Sequence, residues 1–248
     1  MLHESSPEET IAELRAELAR HERQAADHQR QLERYAADLR ETFKQERAAT
    51  MELHRSYVAT VRALANAVEA RDAYTGKHAE RVAAYGVEIA RAVGLQLTEA
   101  PEIEFGFLLH DVGKVAVPDA ILFKADRLTP DEFRLIARHP EIGTEILRDV
   151  EFLGEAKHVV RSHHERWDGE GYPDGLAGEA IPLPARVFAV ADTLDALTTD
   201  RPYRPASPWS VAREEIRSKA GTQFDPAVVD AYDRVPDDTL RVIRDRLA

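Results

Sequence analysis

Residues 105–114 read Phe105-Gly106-Phe107-Leu108-Leu109-His110-Asp111-Val112-Gly113-Lys114. An apolar run with no polar alternation predicts a short element buried on all sides, and it ends on an imidazole beside a carboxylate. Taking such a pair out of water is costly unless something satisfies it, and a cation does so directly. A second stretch is His163-His164-Glu165-Arg166-Trp167-Asp168-Gly169-Glu170-Gly171-Tyr172-Pro173-Asp174-Gly175-Leu176. Adjacent helical side chains point about 100° apart, so His163 and His164 serve one metal cluster only at a helix end or kink, which the following glycines supply.

Helix punctuation surrounds both stretches. Thr129-Pro130-Asp131-Glu132 reads as cap, first-turn proline and capping acid, and Ser207-Pro208 and Asp225-Pro226 read as further N-cap and N1 pairs. Gly94 suits the end of a helix begun near Lys77. Val115-Ala116-Val117 is too short to define a sheet, so the expected fold class is all-α. Trp167 to Pro184, with Gly169, Gly171, Gly175, Gly178, Pro173, Pro182 and Pro184, predicts a long ordered loop, and such loops are usually functional.

The N-terminal stretch differs in character. From Glu8 to Ser56 there is no glycine or proline. Ser6-Pro7-Glu8-Glu9 reads as a helix start, and a 3-4 spacing follows through Ile11, Leu14, Leu18, His21, Ala25, His28, Leu32, Tyr35, Leu39 and Thr42. The pattern changes phase near Phe43 and resumes through Leu53, Tyr57, Val61, Leu64 and Val68. The expected organisation is an N-terminal coiled-coil helix over 1–56, pairing two chains as a homodimer, followed by one helical domain over 57–248. A phase change in a parallel coil would reach the helix bearing His78.

Composition narrows the chemistry. The 248 residues contain no cysteine and ten histidines, with a formal charge of −12. Thiolate nucleophiles, disulfides and sulfur-ligated metals are excluded, and any metal must be held by imidazole and carboxylate. The acidic balance argues against a DNA-binding role, and no apolar window approaches the roughly 18–20 residues of a membrane span. With no basic-then-apolar signal pattern, the expected location is cytoplasmic.

Taken together in order, the motifs resemble the HD-GYP family, cyclic di-GMP phosphodiesterases within the HD phosphohydrolases. The resemblance runs from about Tyr57 to Tyr232. It includes Tyr74-Thr75-Gly76-Lys77-His78, Leu109 to Lys114, Arg138-His139-Pro140-Glu141-Ile142-Gly143, Ala191-Asp192-Thr193-Leu194-Asp195-Ala196-Leu197-Thr198, Asp200-Arg201-Pro202-Tyr203-Arg204 and Gly221-Thr222-Gln223-Phe224-Asp225-Pro226.

The resemblance implies an HD-type helical bundle in which His78, His110, Asp111, His139, His163, His164 and Asp192 are metal ligands, with Asp111 bridging two ions. Lys114, Arg201 and Arg204 would hold substrate phosphates, Tyr172 would place the loop over the substrate, and Asp111 and Lys114 would be catalytic. A sulfur-free set of imidazoles and carboxylates suits Fe or Mn, with Ni or Zn as alternatives. The implied reaction is attack of an activated water on phosphorus with departure of the 3′-oxygen, giving linear pGpG and/or GMP. Lys114 or a bound water would protonate that oxygen, and Asp195 would orient the metal shell. Tyr74 stands where some members carry a third-metal carboxylate, so a binuclear centre is expected, although Asp72 is near. Ala125-Asp126-Arg127 replaces a common Pro-Gly turn.

Three other readings share these residues. One is a catalytically slow sensor or adaptor that binds a cyclic dinucleotide, or a protein partner through the GYP loop. Another is a mononucleotide HD hydrolase, disfavoured by the long loop and the basic pair. The last is selectivity for a mixed guanine-adenine cyclic dinucleotide.

Overall fold

The computed structural model describes residues 7–71, 77–97, 100, 102–124, 126–200 and 204–247. Ser6, Asp72, Tyr74, Ala125 and Arg201 therefore lie outside the described residues. The described helices are α1 (Pro7–Glu69), α2 (His78–Val93), α3 (Glu102–Leu109), α4 (Asp119–Leu122), α5 (Pro130–Ile136), α6 (His139–Ile146), α7 (Ala156–Ser162), α8 (Leu183–Thr198), α9 (Trp209–Ser218), α10 (Pro226–Arg234) and α11 (Asp237–Arg246). Among the described residues there is no strand, only an isolated bridge between Ala220 and Phe224. The fold is all-α.

The chain divides into two compact units, Met1–Tyr57 and Val58–Ala248. In the first, α1 is a single helix through the phase change at Phe43, and Ile11, Leu14, Leu18, Leu32, Tyr35 and Leu39 are all exposed. The last turns of α1 belong to the second unit, where Val61 and Ala65 are buried.

The second unit is built around α2 and α8, which pack on each other, while α3 packs on α2 and α7, and α10 on α2. Apolar faces explain this arrangement. Along α8, Ala185, Val187, Phe188, Val190, Ala191 and Leu194 are buried, and along α3 the run Ile103 to Leu109 is buried except for Glu104. Each fully buried Phe, Leu or Ile contributes about 1.5–3 kcal/mol. Such a core holds polar groups rigidly at the helix ends that abut it.

Three capping expectations are met. Thr129 and Glu132 form the reciprocal capping box of α5, Asp225 caps α10 through the Ala227 N–H, and Gly94 ends α2 with φ 94°. The Ser207-Pro208 pair is corrected: the N-cap of α9 is Pro208, and the helix begins at Trp209. Pro208 is extended, with ψ 146°, and the Ser207 N–H is committed to the Leu197 carbonyl at 2.8 Å, which ties this segment to the end of α8.

A 3-10 helix over Val112–Ala116 follows Asp111 and packs against α6. The approach is so close that a Cβ on Gly113 would lie 1.9 Å from the His139 carbonyl oxygen and 2.6 Å from the Gly143 nitrogen. Both are backbone atoms, so neither can step aside. Glycine here lets Asp111 and His139 share one site. Gly113→Ala is expected to destabilise the domain by about 3 kcal/mol or more, read as a large fall in thermal midpoint. A midpoint within a degree or two of the parent would contradict this packing.

Candidate metal centre

Every histidine of this site stands at a helix boundary or in a first turn. His78 opens α2, His110 follows α3, His139 opens α6, and His163 and His164 follow α7. At those positions a ring can turn back on its own helix. His110 Nδ1 lies 2.9 Å from the Phe107 carbonyl, His139 Nδ1 2.8 Å from that of Ile136, and His163 Nδ1 2.8 Å from that of Val160. A carbonyl oxygen only accepts, so each Nδ1 carries the proton and each Nε2 presents a bare lone pair. His78 is arranged the same way by a carboxylate: its Nδ1 donates to Asp195 Oδ2 at 2.7 Å.

The four Nε2 atoms converge on acceptors. His139 Nε2 and His163 Nε2 are 3.0 Å apart, and His139 Nε2 is 3.2 Å from Asp111 Oδ1. His110 Nε2 is 3.1 Å from Asp111 Oδ2, and His78 Nε2 is 3.4 Å from Asp192 Oδ1. Lone pair against lone pair at these separations is repulsive, and a cation between them reverses the sign. Ligand atoms of Asp111, His139, His163 and His164 all lie within 4.8 Å of one another, the geometry a single metal ion needs. The two oxygens of Asp111 face different imidazoles, Oδ1 that of His139 and Oδ2 that of His110, while His78 faces Asp192 nearby.

Electrostatics match a cation site. Burial holds His163 well below the ordinary imidazole pKa, and burial with the neighbouring His139 lowers His164 to about 3. Both are neutral ligands in waiting. Burial works to raise Asp111, but Lys114, His110 and His139 outweigh it and hold this carboxylate well below its usual range. His78 goes the other way. Burial opposes its protonation, yet the Asp195 hydrogen bond and the charges of Asp192 and Asp111 lift it above its ordinary value.

The supports of the site were only partly readable in advance. Asp195, expected to orient the metal shell, is buried and also receives Arg81, whose Nε is 2.7 Å from Oδ1 and Nη2 3.1 Å from Oδ2. Arg81, three residues beyond His78 on α2, was not anticipated, because its partner is remote in sequence. Glu165 was also missed. It is 4% exposed, and its carboxylate accepts the Asp174 N–H at 2.7 Å and the Leu176 N–H at 3.0 Å, tying down the long loop. The loop contains a cis Tyr172–Pro173 bond and a short 3-10 turn, Gly178–Ala180. At Gly171 a Cβ would meet the Arg166 nitrogen at 2.4 Å, so only glycine passes there.

The remaining expected residues divide. Lys114 Nζ lies 2.7 Å from Asp111 Oδ2. Tyr172 stacks on His164 with ring centres 4.7 Å apart and meets Phe133 edge-on at 5.9 Å. Arg204 is exposed and donates to the Ala196 carbonyl at the end of α8. Beside the cluster opens a cleft of about 380 Å³ whose lining includes His164, Tyr172, Asp192, Phe133, Thr193 and Gln223. A cleft of that size falls in the range of small-molecule sites.

Comparison with known proteins agrees in fold and sequence. The HD domain family model matches residues 62–228. A cyclic di-GMP phosphodiesterase response regulator, RpfG, of Xanthomonas campestris is 44% identical over 174 residues, 69% of this chain and 46% of that protein. The 3′3′-cGAMP-specific phosphodiesterase 2 of Vibrio cholerae is 42% identical over 197 residues, 78% of this chain and 35% of that protein. This chain thus spans less than half the length of either relative. The crystal structure of a cyclic GMP-AMP specific phosphodiesterase of V. cholerae matches with a TM-score of 0.57 at 20% identity, covering 75% of this chain and 52% of that one, a likeness of fold.

Replacing Glu165 by Ala leaves two loop amides without their acceptor, an expected cost of about 2–3 kcal/mol. Hydrogen exchange at Asp174 and Leu176 should accelerate while α8 stays protected. Unchanged exchange at both amides would show that the loop is held by other means.

Proposed function

This chain belongs to the HD domain family, in its HD-GYP branch, and on that premise we propose that it is a metal-dependent phosphodiesterase opening cyclic di-GMP to linear pGpG and/or GMP. The observation that carries this reading is the set of proton-fixed imidazoles whose bare Nε2 atoms face Asp111 and Asp192 beside an open cleft. One cation would take His139, His163, His164 and Asp111, and a second His78, His110, Asp192 and Asp111, with Fe or Mn favoured and Ni or Zn as alternatives. When bound, such a pair supplies Lewis acidity toward a phosphodiester and makes water acidic enough to attack it at neutral pH.

The chain's own residues do the rest. The backbone carbonyls of Phe107, Ile136 and Val160 and the Asp195 carboxylate keep the imidazole protons on Nδ1, so the inward atoms stay available. Lys114, beside Asp111, would offset phosphate charge, and either it or a bound water would protonate the departing 3′-oxygen. Arg201 and Arg204 are proposed as further phosphate contacts against a chain of charge −12. Tyr172, held neutral by burial, walls the cleft over His164. The exposed apolar face of α1 supports a coiled-coil homodimer as part of this proposal. No described helix is long and apolar enough to cross a membrane, and a cytoplasmic setting completes the reading.

The deciding assay follows cyclic di-GMP by chromatography with protein loaded with Mn²⁺ or Fe²⁺. The expected outcome is linear dinucleotide or GMP, with both turnover and bound metal lost in the His110→Ala/Asp111→Ala double variant. Survival of both in that variant would overturn the assignment.

Acidity separates the two subsites. His163 and His164 are already neutral in the metal-free protein, whereas His78, with its raised pKa, must release a proton to bind. Affinity at the His78 subsite is therefore present above that raised pKa and falls as pH drops through it. Elemental analysis should find about two Mn²⁺ per chain near pH 8 and about one near pH 5.5. Loss of both ions together over that range would contradict the division.

A further inference from the structure

The end of α1 reaches the metal centre at two points on either side of one subsite. The Glu69 carboxylate, on the last residue of α1, accepts the N–H of Ala79, the residue after His78 at the start of α2. Two residues on, Arg71 donates from Nη1 to the Val115 carbonyl at 2.7 Å and from Nη2 to Asp119 Oδ1 at 2.7 Å, with the Val117 carbonyl 3.5 Å away. Val115 lies in the 3-10 helix that follows Asp111 and carries Lys114.

The segment bearing His78 and the segment bearing Asp111 are thus both referenced to one turn of chain. Between them lies a small recess of about 20 Å³, room for about one water, lined by Ala65, Val68, Glu69, His78, Asp111 and Lys114 among others. The Arg71 ion pair adds little to stability. Arg71 and Asp119 are 38% and 69% exposed in their side chains, and exposed ion pairs contribute about 0–1 kcal/mol. Their value is positional, since a ligand misplaced by a fraction of an ångström changes metal affinity far more than it changes folding.

We propose that the end of α1 is a built part of the metal centre, with Glu69 and Arg71 as positioning residues that set cation affinity at the subsite of His78, His110, Asp111 and Asp192. This rests on the metal-centre reading above and not on the identity of the dinucleotide. It makes the contacts at Glu69 and Arg71 the physical joint between the long helix and the subsite.

The test titrates the metal-free, full-length protein with Mn²⁺ and reads the free ion by its electron paramagnetic resonance signal, with no nucleotide present. Glu69→Ala and Arg71→Ala are each expected to weaken one of two Mn²⁺ equivalents by about 10–100-fold and leave the other unchanged. The thermal midpoint of the metal-free protein should barely move for Arg71→Ala, and fall by a few degrees for Glu69→Ala, which leaves the Ala79 N–H without its acceptor. Arg71→Lys should recover part of the affinity, since an ammonium reaches one carbonyl but cannot fork. Should Glu69→Ala fold poorly, Glu69→Gln keeps the shape and removes the charge. Arg213→Ala, which breaks ion pairs to Asp233 and Asp237 far from the ligands in sequence, should lower the midpoint without altering Mn²⁺ binding.

Equal weakening of both equivalents in step with the midpoint, no change in either, or loss of a third equivalent with the first two intact would overturn the positioning role. A parent protein that takes up no Mn²⁺ would instead sink the metal-centre reading, and failure to cleave cyclic di-GMP would leave this inference standing.

Discussion

Asp111 is an ionised carboxylate whose two oxygens each face a different imidazole. The rest of the site follows from keeping that arrangement. For His110, His139 and His163 the Nδ1 protons are spent on carbonyls of the preceding turn, and so their inward Nε2 atoms are left as acceptors. Lys114 offsets one negative charge, but a single ammonium does not reconcile imidazoles that approach one another at 3.0 Å. Cations do. Folding therefore gathers acceptors whose mutual repulsion a bound cation would offset.

The scaffold makes that repulsion tolerable. The Phe188 ring lies 4.6 Å from the His110 ring and 5.6 Å from that of His163, so the core of α8 stops both imidazoles from swinging away. Gly113 lets the segment after Asp111 sit directly on α6, and Arg81 holds Asp195 at its post behind His78. Glu165 fixes the long loop by its backbone, and the turn near Gln223 adds two bonds to it, from the Trp167 N–H at 3.3 Å and the Asp168 N–H at 2.8 Å. The loop is thus held by polar contacts, while the site imidazoles are held by packing and by their Nδ1 hydrogen bonds together.

Much of this was legible in the residues. Local signals gave the all-α class, the capping box at Thr129, the helix end at Gly94 and the helix-terminal setting of His110 and His163, because caps and apolar runs act within a few positions. The clustering of His139, His163 and His164 with Asp111 was reached through the resemblance, since no short-range rule brings distant segments together. What stayed hidden were long-range supports: Arg81 with Asp195, Glu165 with loop amides, and Arg71 with Val115. Each looks like an ordinary surface charge in the sequence. Ser207 misled because the helix starts one residue later, at Trp209, with Pro208 as its N-cap, while the Ser207 N–H ties to Leu197.

The central proposal is that Asp111 would stand between two cations. Anomalous diffraction from crystals loaded with Mn²⁺ tests it directly. The account predicts two peaks about 3.5–4 Å apart, one on each side of the Asp111 carboxylate, one flanked by His139, His163 and His164 and the other by His78 and Asp192. A single peak, or none among these side chains, would contradict it.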